Sequence, residues 1–110
     1  MRNYPEWIVA FAAVTAVGGI AVALNAWWTA DELSYGLEDS GAKVLVADAE
    51  RVERAHAWVA HHRIGAIGVR CGDELPPGFD RWEDVVVSGA PLPEVAVAPD
   101  DDATILYTSG

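Results

Sequence analysis

The sequence predicts an α/β fold: a short parallel sheet whose strands are joined by βαβ crossovers. Three observations predict it. Helix and strand signals alternate along the chain at the spacing of βαβ units. Residues 20–24 are a continuous apolar run, as in strands covered on both faces, and residues 43–47 and 66–69 are further short strand runs. Helix boundaries are also marked, by Thr29 and Glu32 as a capping box and by Gly18, Gly19 and Gly41 as stops.

Asn3 is a candidate cap for the first helix, with Pro5 and Glu6 in its first turn and Glu6 at the reciprocal capping-box position. The helix runs to about Val17. It is apolar almost all round, through Trp7, Ile8, Phe11 and Val14, which predicts burial between other elements. Asn25 stands at the carboxyl end of strand 20–24. In the connection that follows, the adjacent Trp27 and Trp28 imply one packed ring and one partly exposed ring.

The second helix starts at the Thr29 capping box, with Asp31 and Glu32 at the positive end of its dipole and Ala30, Leu33 and Leu37 on one face. Gly41 ends it. After strand 43–47, Asp48 caps a third helix with Val52, Ala55 and Val59 as its buried stripe, while Glu50, Arg51, Glu53 and Arg54 are expected to face water.

His61, His62 and Arg63 lie in its last turn, where cationic side chains suit the negative helix end. Neighbours in sequence point to different sides of a helix, so this pair needs a third ligand to chelate a metal; no metal site is expected. His56 is a lone polar residue on the same helix.

Strand 66–69 ends near Cys71 and Gly72, and residues 73–80, with Pro76, Pro77 and Gly78, are expected to form a loop. Residues 82–87 suggest a short helix entering a strand, and residues 88–99 a Pro-bearing linker. Residues 103–107 then form a β-branched and aromatic terminal strand that ends in Thr108, Ser109 and Gly110. Ligands of α/β sheets sit outside the carboxyl ends of the strands, so these three are candidate contacts to an anion such as phosphate.

A length of 110 residues allows one domain at most, and a 52% hydrophobic composition suits a packed unit. The net charge of −10, from 17 acidic against 7 basic residues, argues against nucleic acid as a partner, because neutralising phosphates needs clustered Lys and Arg. Cys71 is the only cysteine. It reads as a small buried hydrophobe, and the lack of a disulfide framework points to a reducing cytoplasm. Residues 7–24 contain one polar side chain, Thr15, and approach membrane-spanning length, but the central glycine pair and the later helix–strand alternation favour a place in a sheet.

Leu106-Tyr107-Thr108-Ser109-Gly110, preceded by Asp101-Asp102-Ala103-Thr104-Ile105, resembles the opening of the phosphate-binding loop of the adenylate-forming (AMP-binding) enzymes, the acyl-CoA synthetases and their relatives. The likeness extends upstream. Arg2-Asn3-Tyr4-Pro5-Glu6-Trp7, Gly18-Gly19-Ile20-Ala21-Val22-Ala23-Leu24-Asn25, Thr29-Ala30-Asp31-Glu32-Leu33-Ser34-Tyr35 and Leu37-Glu38-Asp39-Ser40-Gly41-Ala42-Lys43-Val44-Leu45 follow the order of that family's large amino-terminal domain. The resemblance is closest to the fatty-acyl and related CoA ligases and covers essentially the whole chain. Ala23 and Ala26 depart from it, since many members have Pro there.

The resemblance implies part of a larger adenylation domain, broken off at the start of its phosphate-binding loop. It implies a reaction in which ATP and a carboxylic acid form an acyl-adenylate that coenzyme A then intercepts, with magnesium as a further cofactor. Thr108, Ser109 and Gly110 match family positions at the phosphates; no residue matches a catalytic or metal position. The remainder of the ligase domain is the implied partner, and the chain alone is expected to bind no cofactor and to be inactive. Two other readings are a small membrane-anchored protein with a helix at about 7–24 and a stand-alone nucleotide-binding or interaction module.

Overall fold

The computed structural model describes residues 1–108. Helix α1, Pro5–Ala16, starts on the fixed φ of its first residue, with Tyr4 as an N-cap that makes no side-chain bond. Asn3 is therefore not the cap, because it lies one residue outside that position. Helix α1 ends in a Schellman motif: Gly18, at φ 73°, donates to the Thr15 carbonyl at 3.1 Å, and Gly19 donates to the Val14 carbonyl at 2.9 Å.

Strand β1, Ala21–Ala23, leads to helix α2, Ala30–Asp39, whose capping box is complete: Thr29 accepts from the Glu32 amide and Glu32 from the Thr29 amide. Helix α2 ends in a second Schellman motif, with Gly41 at φ 63°. Strand β2, Val44–Asp48, runs into helix α3, Ala49–His62, capped by Asp48. Strand β3, Gly65–Val69, strand β4, Phe79–Arg81, helix α4, Trp82–Val85, and strand β5, Thr104–Leu106, complete the order.

All strand pairings are parallel, as expected, and they fall into two short sheets, β1-β5 and β2-β3-β4. The core lies in the second. Ala47, Val52, Val59, Ala66 and Phe79 form one buried cluster, flanked by Leu45, Trp58 and Ile64. Val52, Ala55 and Val59 of α3 are buried, as their helical spacing requires.

Four further sequence expectations are corrected. Helix α1 buries none of its residues, and Ile8 is 66% exposed, so being apolar all round did not bring coverage. The side chains of β1 are only half-buried. Strand β4 falls where a loop was expected, because Phe79 docks alone on the core and a three-residue strand carries no readable period. No strand follows α4 directly; residues 86–99 are exposed and irregular. Among the described residues no helix is long and apolar enough to cross a membrane.

Candidate functional site

Strands β1 and β5 pair in register, Ala21 with Thr104, Val22 with Ile105 and Ala23 with Leu106, so their carboxyl ends share one edge. Asn25 and Thr108 each lie two residues beyond a strand end on that edge, and both are exposed. Ser109 and Gly110 lie outside the described residues.

The end of β5 is fastened to α2. Tyr107 donates its hydroxyl to Asp39 Oδ2 at 2.7 Å and reaches the Gly36 carbonyl at 3.4 Å, and its ring meets Trp28 edge-on with centroids 5.5 Å apart. The bond to Asp39 raises the phenol pKa, and burial and the Asp39 charge add to it. Tyr107 therefore fixes the exit of the strand that delivers Thr108.

The loop after β1 is fastened on its other side. Asn25 folds back through Oδ1 to accept the Trp27 amide at 2.9 Å, a local Asx turn. Arg51 Nε donates to the Ala26 carbonyl at 2.7 Å, and Arg54 Nη1 to the Trp28 carbonyl at 2.9 Å. Trp28 is half-buried and Trp27 is 72% exposed under the Arg2 guanidinium, which sits 5.0 Å from its ring centroid.

Arg51 was expected to face water, yet it is 3% exposed. Its Nη1 lies 3.2 Å from Asp48 Oδ1 and 2.9 Å from Glu50 Oε2, and Glu50 also takes Arg54 Nη2. Burial raises the Asp48 pKa, but the Arg2 amide, 2.9 Å from Oδ2, and the Arg51 guanidinium outweigh it and hold the carboxyl below its ordinary value. A buried pair of this kind recovers little net stability after desolvation; what it contributes here is a fixed position for the loop carbonyls.

Other polar candidates have packing explanations. Cys71 is half-buried, its thiol donates to the Val69 carbonyl at 3.3 Å, and burial followed by the charges of Asp48 and Glu83 pushes its pKa up, away from a nucleophilic thiolate. The His62 ring stacks on Trp58 at 3.9 Å, and its Nδ1 lies 2.9 Å from the Trp58 carbonyl. Among the described residues no group of three or more His, Cys, Asp or Glu could hold a metal ion.

Sequence reasoning missed Tyr107, Arg51, Arg54 and Arg70 as positioning residues. Asp48 with Arg51 at i, i+3 and Glu50 with Arg54 at i, i+4 were the local signals available. Arg70, in a left-handed conformation at φ 55° after β3, bonds Glu6 Oε1 through Nε at 2.9 Å and covers the Tyr4 ring at 4.4 Å. That contact spans 64 positions and leaves no trace in the sequence.

A family model described as AMP-binding enzyme matches residues 1–110. The chain is 32% identical over 112 residues to a 3-hydroxybenzoate–CoA/4-hydroxybenzoate–CoA ligase of Thauera aromatica, covering all of this chain and 21% of that protein. It is 27% identical over 124 residues to a 4-coumarate–CoA ligase of Oryza sativa subsp. japonica, covering all of this chain and 21% of that protein. It is 31% identical over 111 residues to an oxalate–CoA ligase of Arabidopsis thaliana, covering 98% of this chain and 21% of that protein. The chain thus spans about a fifth of the length of these relatives.

Proposed function

The chain belongs to the AMP-binding enzyme family, and on that premise we propose that it forms the phosphate-facing edge of an ATP-dependent carboxylic acid–CoA ligase. The observation that carries the reading is the parallel β1-β5 pair, which brings Asn25 and Thr108 to one carboxyl edge, with the loop after β1 held by Arg51 and Arg54 and the end of β5 held by Tyr107. Such an edge is where α/β sheets receive ligands. In this reading Thr108, Ser109 and Gly110 begin the contact to the nucleotide phosphates.

The reaction has two steps. A carboxylate oxygen attacks the α-phosphorus of ATP, and the bond to the departing pyrophosphate breaks. The thiol sulfur of coenzyme A then attacks the acyl carbon, AMP leaves with the bridging oxygen, and the thiol proton passes to solvent. Hydroxyl and amide donors aimed at the phosphates stabilise the charge that grows on them. The part assigned to this chain is to hold Thr108 and the loop after β1 in place. The described residues hold no metal-ligand cluster, so the magnesium implied by the family is placed on none of them.

The acid is the finer question. A fatty acid was expected from the resemblance, whereas the relatives above carry the names of hydroxybenzoate, coumarate and oxalate ligases. We therefore favour an aromatic acid.

Exchange of residues 1–110 for the aligned stretch of the Thauera aromatica ligase tests the reading through carboxylate-dependent exchange of pyrophosphate into ATP. The expected outcome is exchange within about tenfold of the parent, cut at least tenfold further by Thr108→Ala together with Ser109→Ala. A chimera that folds as the parent does but shows no exchange would contradict it. The isolated chain is expected to bind no ATP or AMP at micromolar concentration by calorimetry; binding there would favour the stand-alone nucleotide-binding module instead.

A further inference from the structure

Helix α2 breaks a charge rule that α3 keeps. Asp31 and Glu32 suit the positive end of α2, but its last turn holds Glu38 and Asp39 and no basic residue. Helix α3 instead ends on His61 and His62. Aspartate is also a poor helix former, so position 39 is locally unfavourable on two counts. Such local rules are broken chiefly where a residue has another task.

That task lies 68 positions along the chain, where Asp39 Oδ2 accepts the Tyr107 hydroxyl at 2.7 Å. The Gly36 carbonyl, 3.4 Å from the same hydroxyl, is no substitute, because it already takes the Ser40 amide at 3.1 Å and the Ser40 hydroxyl at 2.6 Å. The bond to Asp39, then burial and the Asp39 charge, raise the phenol pKa, which keeps Tyr107 a donor across the neutral range.

Packing alone does not fix this end of β5. The strand pairs with β1 over three residues, Leu106 is 72% exposed and Thr108 is exposed. The Tyr107 ring leans edge-on against Trp28 with centroids 5.5 Å apart, and Trp28 sits so close over Gly36 that a β-carbon there would fall 2.7 Å from its Cζ3. Helix α2 thus supplies both supports: Gly36 seats the ring that Tyr107 leans on, and Asp39 sets its direction through the hydroxyl. Adjacent Cα atoms are about 3.8 Å apart, so a fixed Tyr107 fixes where Thr108 begins.

We propose that Asp39 is a positioning residue of the candidate phosphate edge: its carboxylate, kept at the unfavourable end of α2, holds the Tyr107 hydroxyl and so aims Thr108 as it leaves β5. The consequence for catalysis rests on the ligase reading above. Asp39 would then give up helix stability for the placement of a hydroxyl, and substitutions should separate the two effects.

The chimera with the Thauera aromatica ligase and the full chain by itself test it together. Asp39→Ala and Asp39→Asn both remove the charge from the helix end, but only Asn keeps an oxygen that accepts from Tyr107. In the chimera Asp39→Ala is expected to lower kcat for pyrophosphate exchange at least about tenfold, with KM for ATP changed less than about threefold, because a misplaced hydroxyl is felt in the transition state. Asp39→Asn is expected to restore kcat to within about threefold of the chimera. Tyr107→Phe is expected to match Asp39→Ala, and the two together to be no worse than either alone. In the full chain both Asp39 variants are expected to unfold at a urea midpoint no lower than wild type.

Loss by Asn equal to that by Ala would assign the effect to charge, a lowered midpoint would assign it to folding, and additive losses or an unaffected Asp39→Ala would break the link to Tyr107; each would overturn the proposal. A chimera without exchange while Asp39 and Tyr107 are both in place would instead contradict the ligase reading, and this inference would fall with it.

Discussion

The β2-β3-β4 sheet with α3 is built from less apolar sequence than the β1-β5 pair with α1, yet it buries more. In the first, Ala47, Val59 and Val69 are at most 1% exposed, and Phe79 closes the cluster. In the second, α1 buries no residue, β1 is half-buried and Leu106 of β5 is 72% exposed. Local composition therefore does not decide which half is complete. What decides it is whether each apolar face meets another face within these residues, as that of α3 does on β2 and β3 and that of α1 does not.

The sharpest way to break the comparison is by truncation. Phe79→Ala is expected to cost roughly 3–5 kcal/mol by urea unfolding, while Ile8→Ala on the exposed face of α1 is expected to stay within about 0.5 kcal/mol. Equal losses would show that α1 is covered after all.

Asp48→Ala comes next, at roughly 3 kcal/mol, because it leaves the Arg51 charge buried without its partner. The pH dependence has a defined sign. The Asp48 carboxyl is held below its ordinary value in the folded chain, so its contribution is fully present above the pKa of an unfolded aspartate and is lost as pH falls through the lowered folded value. Wild-type stability is expected to decline across that acid window more steeply than that of Asp48→Asn, as read by chemical unfolding at a series of pH values.

Gly36→Ala sharpens the comparison at the seam. A β-carbon there would fall 2.7 Å from Trp28 Cζ3 and 3.0 Å from Leu24 Cδ2. Overpacking of about 1–3 kcal/mol, offset by about 1 kcal/mol of helix propensity, predicts a net loss of about 1 kcal/mol and a shift in Trp28 emission as its ring leaves Tyr107.

What could be read from the sequence was local. The Thr29–Glu32 capping box, the Asp48 cap, the stops at Gly18 and Gly41 and the stripe of Val52, Ala55 and Val59 each depend on residues within a turn or two of one another. The rest depended on distant partners. Arg51 looks like a solvated helix residue until the Ala26 carbonyl, 25 positions earlier, is brought beside it. Tyr107 looks like one more aromatic strand residue until Asp39 meets its hydroxyl. Of the three candidate phosphate contacts, only Thr108 falls among the described residues, and its place at the shared carboxyl edge followed from strand direction alone.

Residue-resolved hydrogen exchange on the unmodified chain tests the division most directly. The account predicts that the amides bonded within the β2-β3 ladder and on the buried face of α3 exchange only through global unfolding, while the bonded amides of α1, β1 and β5 open at least about a hundredfold more readily. Uniform protection across both sheets would contradict it.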